Sequence, residues 1–210
     1  MNNAVNGIRN EKSLKLVQLA MWTALTVLLA FVPSLGYITI GPFSITTVHI
    51  PVIIGAIMLG PAAGAFLGFM FGLTSVIQAT LQVPLTAFIF SPFVPFGNFT
   101  SLIIAFVPRI LVGVVAGYLY ILISKKDKRG YISALAAGIA GSLTNTILVL
   151  GGAYLFFGSQ YSAAVNVPFK SLLWVILSVV GTNGILEAAV AAVAAAAVSK
   201  ALFTVKKRMG

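Results

Sequence analysis

The chain has 210 residues, 60% of them hydrophobic and only 8% charged; a soluble domain carries about a quarter charged residues, so water is not its main solvent. Three acids (Glu11, Asp127, Glu187), one histidine (His49) and no cysteine exclude disulfides, thiolate sites and cysteine nucleophiles, and are too few for a paired-carboxylate mechanism or a metal cage. The formal charge of +10 flanks hydrophobic runs instead of interleaving with exposed aromatics, which argues for a membrane and against nucleic acid.

In chain order the apolar runs are residues 14–32, 47–60, 62–81, 98–124, 131–157 and 171–203. A bilayer core takes roughly 20 apolar residues per helix. The first run is longer than a signal-peptide core and lacks an evident small-x-small cleavage site, so it is read as a retained helix. The second is short and interrupted by Pro51, and Pro61 separates it from the third, which predicts a tight turn there. A re-entrant second segment would leave five spans.

Charge placement favours six. Arg9, Lys12 and Lys15 precede the first run; Lys125, Lys126, Lys128 and Arg129 join the fourth to the fifth; Lys206, Lys207 and Arg208 follow the sixth. Six spans put all three clusters on one side, which the positive-inside rule makes cytoplasmic. The expected architecture is therefore a single-domain, all-α integral membrane protein of six transmembrane helices, with both termini cytoplasmic: an N-terminal segment 1–13, a bundle 14–203 and a basic tail 204–210. The outer connections, 33–46, 82–97 and 158–170, contain one charge, Lys170, and are rich in proline and aromatics such as Tyr37, Phe43, Phe93, Phe96 and Tyr161. Two readings fit these apolar, stiffened segments: interfacial anchors, or a lid folded over a cavity.

In lipid, small residues four apart mark helix contacts. Gly64, Gly68 and Gly72 on the third run, Gly113 and Gly117 on the fourth, and Ala188, Ala192 and Ala196 on the sixth have this spacing. So do Ala20 and Ala24 near the basic end of the first.

Ionisable groups inside a bilayer are functional candidates by default. Arg109 lies roughly 16 Å from the outer end of the fourth helix. Asn98, eleven positions earlier, would share its face. Asn145, with Ser142 on its face, reaches a similar depth on the fifth helix, and Asn183 and Glu187 form an i, i+4 pair on the sixth. Arg109, Asn145 and Asn183 are expected to converge in an outward-facing pocket. Glu187 would neutralise Arg109 from below, either as a fixed ion pair holding the bundle or in alternation with a ligand carboxylate. Gln78 and Ser75 add polar groups near the outer end of the third helix, and His49 begins the second.

No GxxxxGK[ST] loop cradles ATP, no carboxylate chain crosses the bilayer, and no repeat relates the halves. A small membrane protein with one polar pocket remains, not an enzyme and without a cofactor; it would need energy from elsewhere to transport a solute.

The sequence resembles the substrate-binding S components of energy-coupling factor (ECF) vitamin transporters over nearly its whole length. The resemblance rests on Ala20-x-x-x-Ala24, Thr47-Val-His-Ile-Pro-Val-Ile-Ile-Gly-Ala-Ile-Met-Leu-Gly-Pro61, Gly64 to Gly72, Val107-Pro-Arg-Ile-Leu-Val-Gly113 and Gly181-Thr-Asn-Gly-Ile-Leu-Glu187, in that order. It implies a multi-pass protein of the bacterial plasma membrane that binds a vitamin at its outer side, docks through the alanine face of the first helix on a coupling membrane subunit carrying two ATPases, and topples to deliver its cargo. The stretches 47–61 and 106–113 look most like the pantothenate type, whose ligand offers one carboxylate, two hydroxyls and an amide to Arg109, Asn98, Asn145 and Asn183, with Gln78 and His49 as further contacts. Folate, pyridoxine or hydroxymethylpyrimidine as ligand, and a scaffold that binds no solute, are the alternatives.

Overall fold

The computed structural model describes residues 2–32, 35–40, 43–127 and 129–209, with side chains for 11–32, 35–37, 46–127, 129–201, 203 and 204. Helix α1 (Asn2–Phe31) begins well before the first apolar run, because no proline or glycine pair interrupts the polar segment ahead of it. Two short strands follow, β1 (Tyr37–Ile40) and β2 (Phe43–Thr46), paired antiparallel with Tyr37 opposite Thr46. The bundle is all-helical as expected, and this short strand pair in the connection after α1 is an addition to it. Tyr-Ile-Thr-Ile and Phe-Ser-Ile-Thr are rich in β-branched and aromatic residues, and they flank Gly41-Pro42, so their local preference is for strand.

Helix α2 (His49–Leu59) spans about 16 Å and cannot cross a hydrocarbon core of about 30 Å alone. It is buried on nearly every side, packing on α1, α3 (Pro61–Gln82), α4 (Phe99–Ser124), α5 (Tyr131–Ala164) and α7 (Ile185–Met209). Gly60, at φ 95° and ψ 172°, makes the tight turn into α3, and Pro61 opens that helix where its missing N–H costs nothing. The descent from the hairpin end is shared: β2 reaches Glu187, about midway along its span, and α2 continues until Pro61 lies beside Gly117.

Five helices of the described residues are long and apolar enough to cross a membrane, and α2 is a shorter sixth. The fifth of them is α6 (Phe169–Val179) running into α7 through a π-turn at Val180–Gly184. Helix α5 continues seven residues past the predicted 131–157 to Ala164, but Phe157 departs from helical geometry, so the predicted end marks a real kink.

Glycines set the closest contact. Added Cβ atoms on Gly64, Gly68 and Gly72 would meet the α4 backbone at Gly113, Arg109 and Ala105, and one on Gly113 would meet Gly64. Helices α3 and α4 thus touch backbone to backbone along the predicted stripe. Two apolar clusters flank the middle of the bundle. One, toward the basic end, gathers Trp22, Val52, Ile53, Leu67, Phe71 and Val112; the other, toward the hairpin end, gathers Phe88, Ile104, Phe157, Tyr161 and Leu172.

Candidate substrate-binding cavity

A cavity of ≈ 200 Å³ lies between these clusters. Its rim includes the exposed residues Gln82, at the end of α3, and Pro84 and Leu85 after it, so it opens toward the hairpin end. Ile89, Val149, Leu150, Ala153 and Val179 give it apolar walls, and polar groups enter from α3, α4, α5, the π-turn and the hairpin.

Arg109 is held by a defect in its own helix. Pro108 has no N–H, so the carbonyl of Ile104, four residues earlier, is left without its helical partner. The Arg109 side chain curls back and its Nη1 donates to that oxygen at 2.6 Å. The guanidinium is stacked against two rings, with its carbon 5.3 Å from the centre of Phe71 and 4.6 Å from that of Phe90, a residue of the α3–α4 connection. Arg109 is 3% exposed and its buried Nε has no hydrogen-bond partner.

The expected Arg109–Glu187 ion pair is not formed. Glu187 Oε1 accepts from the Thr46 backbone N–H at 2.6 Å, and Oε2 lies 3.4 Å from Thr146 Oγ1. The hairpin delivers a backbone donor that the sequence did not announce, so Glu187 has partners without turning to the arginine.

Asn145, Asn183 and Gln78 line the same cavity as Arg109, although they come from α5, the π-turn and α3. Asn145 Oδ1 is buried without a partner, as is the hydroxyl of Ser142 on the same face. Gln78 Nε2 donates to the carbonyl of Ala30 at 2.6 Å, satisfying one of the free carbonyls at the end of α1. Ser75 Oγ donates to Phe71 O at 3.0 Å, so at its 3.0 Å contact with Tyr37 the phenol is the donor, which ties β1 to α3.

Two expected residues stand elsewhere. Asn98 is exposed and extended (φ −150°, ψ −173°) as the N-cap of α4, accepting from the Thr100 N–H at 2.8 Å in a capping box with Ser101. Helical spacing does not apply to a residue outside the helix, and this is why the face shared with Arg109 fails. His49 is 1% exposed and does not line the cavity; the first turn of α2 is drawn into the core, and its ring lies beside the Thr46 backbone. Sequence reasoning also missed Tyr37, Thr46, Phe90, Thr146 and Tyr161 as cavity residues. Of these, Tyr37 and Tyr161 were named only among the aromatics of the outer connections, and Thr46, Phe90 and Thr146 carried no signal. Those aromatics divide: Tyr37, Phe90 and Tyr161 face the cavity, whereas Phe93 and Phe96 are 76% and 72% exposed.

On α1, Trp22, Thr26 and Ala30 turn inward, while Ala20 and Ala24 are exposed on its free face beside Met21 and Leu25.

Membrane-length helices around a polar cavity that opens at the hairpin end define a polytopic membrane protein with room for a small solute. The family model described as "ECF transporter, substrate-specific component" matches residues 14–199. The chain is 36% identical over 202 residues to the pantothenic acid transporter PanT of Lactococcus lactis subsp. cremoris, covering 93% of this chain and 96% of that protein. It is 29% identical over 210 residues to the pantothenate transporter PanT of Leuconostoc mesenteroides subsp. mesenteroides, covering 96% and 98%. The chain belongs to the family of ECF-transporter substrate-specific components. It is a multi-pass protein of the bacterial plasma membrane, a transport component and not an enzyme.

Proposed function

We propose that this S component captures pantothenate at the outer face of the membrane and passes it inward with an ATP-hydrolysing coupling module. The observation that carries the proposal is Arg109: a buried cation in the cavity with no carboxylate paired to it and a free Nε–H. A buried cation without a counter-charge is costly unless something anionic arrives to pair with it. Pantothenate brings one carboxylate for Arg109, and its amide and hydroxyls suit Asn145, Asn183 and Gln78. The names of both relatives point to the same solute.

Partners follow from the family. The coupling membrane subunit docks on the Ala20–Ala24 face, two ATPases drive the cycle, and both termini lie in the cytoplasm with the basic clusters.

Purified protein in nanodiscs should bind pantothenate in the nanomolar range by calorimetry. Arg109→Ala should weaken binding at least about thirtyfold, as expected for loss of a buried charge partner. Unchanged affinity in that variant overturns the assignment. Folate, pyridoxine and hydroxymethylpyrimidine in the same titration test the other ligands, and a chain that bound none of the four would be a scaffold.

A further inference from the structure

Glu187 is one of the three acids of the sequence, and it lines the cavity on a different helix from Arg109. Its hydrogen bonding is incomplete. Oε1 has a firm donor in the Thr46 N–H at 2.6 Å. Oε2 faces the Thr146 hydroxyl at 3.4 Å, but that group carries one hydrogen and has the Ser142 carbonyl at 3.3 Å as a competing acceptor. An ionised carboxylate offers about four acceptor positions. At most two of this one's are filled, at a residue 7% exposed. On α5, Asn145 Oδ1 is a buried acceptor without a donor.

The cavity is therefore polarised. Donors are in surplus at Arg109, acceptors at Glu187 and Asn145. A solute that satisfies both walls is anionic at one end and carries hydroxyl or N–H donors at the other.

We infer that Glu187 is a specificity-determining residue: it accepts a hydrogen bond from the hydroxyl end of the bound solute, and its charge rejects a second anionic group there. The inference rests on the pantothenate proposal, in which the carboxylate goes to Arg109 and the terminal hydroxyl to Glu187. The class of solute admitted is then a monoanion with a donor-bearing tail. A phosphate on that terminal hydroxyl would replace a donor with negative charge against a buried carboxylate, a repulsion that a low-dielectric site does not screen.

The test titrates the full chain in nanodiscs with pantothenate and with 4′-phosphopantothenate. Wild type is expected to prefer the unphosphorylated compound at least about a hundredfold. Glu187→Gln, which keeps the shape and an oxygen for the Thr46 N–H, should lower that preference at least about tenfold. Glu187→Asp, which keeps the charge, should retain it; that result separates charge from a merely structural role. An equal preference in wild type and Glu187→Gln overturns the inference, because the exclusion would then be steric. Wild type that binds both compounds equally also overturns it. Wild type that binds no pantothenate removes the proposed function, and this inference with it. Should Glu187→Gln not accumulate, pantothenate lacking its terminal hydroxyl decides on wild type: about a tenfold loss is expected, and parity overturns the role.

Discussion

Residue 109 shows how a local defect becomes a site. Membrane helices tolerate proline only where something else satisfies the freed backbone oxygen. Here Arg109, the residue after Pro108, does so for Ile104, and the arginine is thereby aimed and anchored. Pro108→Ala would restore an N–H to compete for that oxygen. The expected result is a melting temperature unchanged or raised, since proline is the poorest helix former, with pantothenate affinity lowered about tenfold, the scale of one hydrogen bond to a charged group. Thermal melts and titration of one preparation check both halves; unaltered affinity would mean that the carbonyl does not position the guanidinium. The position of Arg109 within the fourth apolar run made its depth legible. Its neighbours were not. Glu187 was expected beneath it as a counter-charge, but its Oε1 takes a backbone amide from a distant strand pair instead.

At the scale of elements, the glycine stripe of α3 was legible because it follows from chemistry alone: in lipid, close approach is the main source of helix adhesion. Its consequence for the site was not, since nothing in the sequence says that Gly68 packs on the backbone of Arg109 itself. Gly68→Ala should therefore force α3 from α4, cost about 1–3 kcal/mol of stability as overpacking does, and weaken pantothenate binding by displacing Arg109. Gly151→Ala is the contrast, because a Cβ there meets nothing within 4 Å. Thermal melts of the two variants should separate by several degrees; matching melts would show that the α3–α4 contact is not tight. The elements missed or misplaced share a cause. Four-residue strands give little period-2 signal inside an apolar connection, and the cap at Asn98 looks like the start of an apolar run until its backbone is seen to be extended.

For the whole molecule, hydropathy left the second of six apolar runs doubtful and charge placement favoured six spans. The fold has five membrane-length helices and the short buried α2, with β2 ahead of it reaching Glu187. This arrangement leaves α1 lightly held, with 17% of its apolar window buried, against 56% for α3. A helix attached along one narrow stripe, through Trp22, Thr26 and Ala30, offers most of its circumference to lipid or to a partner. The two occupants differ in what they tolerate. Lipid chains rearrange around a bulky side chain, whereas a helix packed on alanines does not. Ala20→Trp or Ala24→Trp should then leave pantothenate binding by the purified chain within about twofold, because the cavity lies on other elements. Both should abolish pantothenate uptake in cells that express the coupling module. Uptake that survives these substitutions would place the coupling contact on another face, and uptake in cells without any coupling ATPase would make the chain a carrier in its own right. Loss of binding along with uptake would instead mean that α1 supports the cavity through Ala30 and Gln78, which a hydrogen bond links.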